Sequence, residues 1–97
     1  MVSKVALIGA GFVGSGWAIV FARSGYSVNV FDEDKNKRST FIKTVKGCLK
    51  DLEVNGLIKD VGNVINNITI SGSLDEAVMG ASYVQESIFA DLKLHDI

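Results

Sequence analysis

Residues 9–17 read Gly9-Ala10-Gly11-Phe12-Val13-Gly14-Ser15-Gly16-Trp17, directly after the apolar run Val5-Ala6-Leu7-Ile8. A short apolar run without alternation, closed by glycine, predicts a strand buried on both faces. From Phe12 to Arg23 the apolar residues Val13, Trp17, Val20 and Phe21 recur at steps of three and four, which predicts a helix with that stripe on the core. Ser24-Gly25 ends it, Gly25 suiting the left-handed position after a helix. Tyr26 to Phe31 is a second β-branched and aromatic run, ending at Asp32. Strand, glycine loop, helix and strand within the first thirty-two residues make a βαβ unit.

Three glycines at this spacing have separate tasks. The first lets the chain turn off the strand, the second lets backbone approach a pyrophosphate, and the third lets helix and strand pack closely. Gly9, Gly11 and Gly14 fill these places, and phosphates would lie over the N-terminus of the following helix, where orphan N–H groups and the helix dipole favour an anion. Asp32, eighteen residues after Gly14, is placed to accept hydrogens from the adenosine ribose hydroxyls and to repel a 2′-phosphate. NAD is therefore expected over NADP. Lys35, Lys37 and Arg38 read as a solvated helix face, with a contact to a 2′-phosphate as the alternative. FAD uses the same loop and is a competing ligand, and a tight turn without any ligand is the structural alternative.

Beyond the βαβ unit, Asp34 is a plausible cap for a long helix to Glu53, with Phe41, Val45, Cys48, Leu49 and Leu52 on one stripe. Asn55-Gly56 ends it. Leu57, Val61, Val64 and Ile65 fit a short helix interrupted by Gly62, and residues 67–70 (NITI) form a third strand. Ser73 caps a helix from Leu74 to Met79, whose first turn carries Asp75 and Glu76. Tyr83 to Phe89 reads as a fourth strand, with a helix starting over residues 90–97. The fold class is α/β: a Rossmann-type parallel sheet of order 3-2-1-4 with flanking helices, incomplete on its C-terminal side. One partial dinucleotide-binding domain fills residues 1–97.

The 97 residues are 47% hydrophobic, with mean hydropathy +0.28 and a formal net charge of −1. That supports a core and gives no basic field for nucleic acid. One cysteine, Cys48, suits a reducing compartment and is expected as a buried, inert thiol. No run is long and apolar enough for a membrane span and the start carries no cleavable signal, so a cytoplasmic protein is expected. Trp17 is expected to pack between helix and sheet. Glu86 is either paired in the sheet or exposed at the end of its strand. An open sheet edge and exposed apolar surface predict self-association or marginal stability.

The run from Val5 to Asp34 (VALIGAGFVGSGWAIVFARSGYSVNVFDED) resembles the N-terminal NAD-binding domain of the 3-hydroxyacyl-CoA dehydrogenase family, and Gly16-Trp17-Ala18 with Phe21-Ala22 looks most like its lambda-crystallin and L-gulonate 3-dehydrogenase branch. The likeness continues through residues 77–87 (AVMGASYVQES), similar to the family's helix-to-strand passage. It implies hydride transfer between NAD and a 3-hydroxy acid or 3-hydroxyacyl-CoA. Gly9, Ala10, Gly11, Phe12, Val13 and Gly14 would meet the pyrophosphate, Asp32 and Glu33 the adenosine ribose, and Ala90 the nicotinamide end.

Where the family has Glu-Asn-Leu this chain has Ala90-Asp91-Leu92, and His95 stands at the family's lysine. The serine and lysine that meet CoA in the acyl-CoA branch align with Cys48 and Asn55, which weakens the case for a CoA substrate. The family's catalytic His and Glu lie C-terminal to the matched region. No catalytic residue and no metal ligand is therefore expected among these 97 residues, which should bind the cofactor without turning it over. A non-catalytic nucleotide-binding or structural module is the other reading.

Overall fold

A computed structural model describes residues 3–86, with the backbone alone for Phe12. The expectations on Phe89, Ala90, Asp91, Leu92 and His95 lie outside the described residues. The elements run β1 (Lys4–Ile8), α1 (Phe12–Arg23), β2 (Ser27–Phe31), α2 (Lys35–Val54), α3 (Val61–Asn66), β3 (Ile68–Ile70), α4 (Leu74–Val78) and β4 (Tyr83–Glu86). All strand pairs are parallel and the order is β3-β2-β1-β4, as expected. In register, Ile8 lies beside both Phe31 and Glu86, and Val30 beside Ile70, so the C-terminal ends of the strands form one edge.

Two layers cover the sheet. Val5, Leu7, Val28 and Val30 share a cluster with Ala18, Ile19 and Ala22 of α1, Phe41, Val45 and Leu49 of α2, and Val64 of α3. Ala6, Ile8 and Ala77 are buried outside that cluster, on the side where α4 packs against β1 and β2. The return from β3 across to β4 reverses the direction of travel, and a right-handed crossover then places its helix on the opposite face.

Local chemistry sets the boundaries. Asp34, Asp60 and Ser73 each accept a backbone N–H in the first turn of α2, α3 and α4. Gly25 and Gly56, at φ 95° and 73°, take the left-handed turns after α1 and α2. Gly62 lies inside α3 and does not interrupt it, while Leu57 stays exposed ahead of the helix.

The expected face of α1 is corrected. Val13, Trp17 and Val20 are exposed at 44%, 40% and 50%, and the buried positions are Gly14, Ser15, Ala18, Ile19 and Ala22. Both faces carry a helical period, so spacing alone does not choose between them. The small side chains win because they let the α1 backbone approach the sheet closely, as the glycine turn requires. Trp17 instead stacks on half-buried Phe21, with ring centroids 5.9 Å apart. Tyr26 is likewise exposed, outside β2, and meets Phe21 edge-on. Cys48 is half-buried rather than buried. Glu86 is exposed at the end of β4, which answers the question left open for it.

Substitutions separate the two faces. Ala18→Leu should overpack the helix–sheet contact at a cost of about 1–3 kcal/mol, whereas Val20→Ser should change stability by no more than about 0.5 kcal/mol. Thermal melts of the two variants against the parent check this; equal losses would return the core to the other face.

Candidate functional site

The site lies at the edge where β1 and β2 end. Gly9 leaves β1 at φ 121°, a conformation side chains disfavour, and its N–H donates to the Phe31 carbonyl at 2.7 Å. The turn brings the Ala10 N–H to Asp32, which accepts it at Oδ2 at 2.8 Å. The other oxygen, Oδ1, accepts the Asp34 N–H at 2.8 Å. Asp32 is only 7% exposed. A buried carboxylate needs such charge-assisted bonds, and here they join the glycine loop to the loop after β2.

Asp32 thus differs from the freely open carboxylate that the spacing suggests. An ionised carboxylate has about four acceptor positions, and the structure uses two of them internally. The short-range bond from the Asp34 N–H is an Asx turn, which the Asp32-Glu33-Asp34 sequence could have signalled. Glu33 is exposed beside it.

At the start of α1 the arrangement differs from the other helices. Gly11, its N-cap, has φ −88° and offers no side-chain cap, and no acidic residue stands in the first turn. The first helical hydrogen bond runs from the Ser15 N–H to the Gly11 carbonyl at 3.0 Å. A Cβ added at Gly11 would meet no heavy atom within 4 Å, so open space lies above that backbone. An uncapped helix start under an open glycine is a cradle of the kind a pyrophosphate fills. Gly14 is buried, on the helix that packs against β1. Gly9, Ala10, Gly11, Val13, Gly14, Asp32 and Glu33, with the Phe12 backbone, therefore come together at one edge.

The basic residues after β2 do not form the uniform solvated face expected. Lys35 and Lys37 are exposed, but half-buried Arg38 turns back over the site. Its Nη1 donates to the Asp32 carbonyl at 2.6 Å and the Glu33 carbonyl at 3.3 Å, and the guanidinium lies over the Phe31 ring, 5.5 Å from the centroid. Cys48 and Asn55 line an open depression of about 370 Å³ between α1 and α2 with Arg23 and Asp51. Among the described residues no helix is long and apolar enough to cross a membrane.

The chain was compared with known proteins. It is 36% identical over 93 residues to the lambda-crystallin homolog of Bos taurus, which covers 93% of this chain and 29% of that protein. It is 33% identical over 86 residues to the L-carnitine dehydrogenase of Streptomyces griseus, covering 89% of this chain and 25% of that protein. The crystal structure of FadB2 from M. tuberculosis superposes with a TM-score of 0.83 at 24% identity, over 90% of this chain and 31% of that one. The chain thus spans less than a third of the length of these relatives. The family model for the NAD-binding domain of 3-hydroxyacyl-CoA dehydrogenase matches residues 4–96, and to that family, through its NAD-binding domain, the chain belongs.

Proposed function

We propose that this chain is the NAD-holding part of a dehydrogenase that oxidises a 3-hydroxy acid or 3-hydroxyacyl-CoA by hydride transfer to NAD, and that the 97 residues alone bind the cofactor without turnover. The observation that carries the binding reading is the uncapped start of α1 beneath the open face of Gly11, flanked by Asp32. The N–H groups of the first turn of α1 would hold the pyrophosphate, and the unused acceptor positions of Asp32 the adenosine ribose. Bound NAD would supply the hydride acceptor, and the loop residues Gly9 to Gly14, with Asp32 and Glu33, orient it. Ala90 is proposed for the nicotinamide end on the family resemblance alone.

Two features favour NAD over NADP. A 2′-phosphate would meet the carboxylate of Asp32, and Arg38, the cation bonded to the Asp32 backbone, already spends Nη1 on two carbonyls. A small hydroxy acid is favoured over a CoA thioester. Neither Cys48 nor Asn55 supplies a cation for CoA phosphates, Asp51 stands opposite Arg23's charge on the same depression, and the resemblance to an L-carnitine dehydrogenase points the same way. Turnover needs a general base within hydrogen-bond reach of the substrate hydroxyl. The only histidine in the chain is His95. The unpaired thiol of Cys48 accords with a cytoplasmic setting.

A second copy of the chain is proposed as its partner. Trp17 and Val20 on α1 and Tyr83 and Val84 on β4 leave apolar surface exposed, and the outer edge of β4 has no strand paired to it among the described residues.

Three measurements test these readings. By calorimetric titration the chain should bind NAD at least tenfold more tightly than NADP, and Gly11→Ala should abolish NAD binding while melting like the parent, since its Cβ meets only open space. Failure of the parent to bind NAD would end the reading. Asp32→Ala should weaken NAD and also orphan the buried Ala10 N–H, at about 1–3 kcal/mol of stability; at this chain length a loss of 1 kcal/mol lowers the melting temperature by roughly 4–8 °C. Sedimentation velocity should show weight-average mass rising with concentration, and Trp17→Lys should suppress the rise; a monomer at every concentration would refute the self-association.

A further inference from the structure

The geometry points to Arg38 as the residue that seats the adenine ring of the bound dinucleotide, its guanidinium plane serving as the stacking surface. This rests on the NAD reading above and assigns a role to a residue that neither the glycine motif nor the Asp32 spacing identifies.

The location follows from topology. With the pyrophosphate over the start of α1, which leaves β1, and the ribose at Asp32, which ends β2, the ligand runs away from β1 along the order β3-β2-β1-β4. The base must then lie over the C-terminal ends of β2 and β3. Arg38, in the first turns of α2, has Nη1 2.6 Å from the carbonyl of Asp32 itself. Its guanidinium therefore stands beside the backbone of the residue that would hold the ribose, on the side the base must occupy.

Its state suits a planar partner. A free arginine would lose much side-chain entropy on stacking, but here two carbonyls and the Phe31 ring have already fixed the plane. The guanidinium carbon lies 5.5 Å from the centre of the Phe31 ring, and Arg38 is only half-buried, so part of the side chain is open to a flat ring. Guanidinium planes stack on aromatic faces, and a purine offers such a face. The alternative task for a cation here, a salt bridge to a 2′-phosphate, is disfavoured by the Asp32 carboxylate close by and by the commitment of Nη1. The same arrangement also explains why Lys would not serve, since an ammonium has no plane to offer.

The test compares ligands with and without the base. NMR or calorimetric titrations of the parent, Arg38→Leu and Arg38→Lys use NAD, AMP and ribose 5-phosphate. The expected result is that both variants lose about tenfold in affinity for NAD and AMP, with ribose 5-phosphate unchanged. Arg38→Lys keeps the cation and a donor for the carbonyls, so it carries the test if Arg38→Leu fails to fold. Equal losses for AMP and ribose 5-phosphate would reduce Arg38 to a clamp on the loop and overturn the assignment. So would an AMP affinity unaltered in the variants, or a parent that binds AMP no better than ribose 5-phosphate while still binding NAD. A parent that binds no NAD would instead overturn the cofactor reading itself and the assignment with it.

Discussion

The carboxylate of Asp32 holds the two loops of the site together. One oxygen takes the Ala10 N–H from the loop after β1 and the other takes the Asp34 N–H from the loop before α2, in surroundings that leave the side chain almost no contact with water. A buried charge without such donors is costly, so the native fold is one in which both loops point an amide at this position. Gly9 makes the first of these possible, because its φ of 121° turns the next amide towards β2. The first glycine of the motif is thus needed by the protein's own hydrogen bonding as well as by any ligand. Arg38 closes the same unit from outside, gripping the carbonyls of Asp32 and Glu33.

The close approach of α1 to the sheet is the second constraint, and it decides what the molecule shows to its surroundings. Burying Gly14, Ser15, Ala18 and Ala22 brings the helix start near the strand ends, where its dipole acts on the cradle. Val13, Trp17 and Val20 are then turned outward, with Trp17 resting on Phe21 and Val20 lying open. Tight cofactor geometry on one side of α1 and an apolar outer surface on the other come from the same choice of small side chains.

Much of this was legible in the sequence. Caps at Asp34 and Ser73, the stops at Gly25 and Gly56, and the apolar runs of the strands are local signals, and they gave the element order and the sheet order through the connectivity rules. The glycines and Asp32 were found because their spacing reflects backbone needs. The buried face of α1 was misread because apolar period exists on both sides of it, and only the distance to the sheet distinguishes an alanine face from a tryptophan face. Arg38 was read as solvated because a side chain's return to carbonyls five and six residues earlier depends on where β2 ends and on the Phe31 ring, neither of which composition or spacing expresses. The internal use of Asp32 escaped for a similar reason: Ala10 and Asp32 are twenty-two residues apart and meet only once β1 and β2 are in register.

The four helices among the described residues are not finished alike. α2, α3 and α4 each begin on a carboxylate or hydroxyl of their own, whereas α1 begins on a glycine with nothing to offer. In thermodynamic terms a ligand there does the work of a missing side chain: an anion that accepts those first N–H groups completes a helix the polypeptide leaves unfinished. On the proposed binding such a domain would be a folding partner of its cofactor, and ligand at one hundred times its dissociation constant would add about 2.7 kcal/mol to the folded state. Set against a typical total margin of about 5–15 kcal/mol between folded and unfolded chains, that would be a large share, so dinucleotide would act on the folded population as well as on its loading.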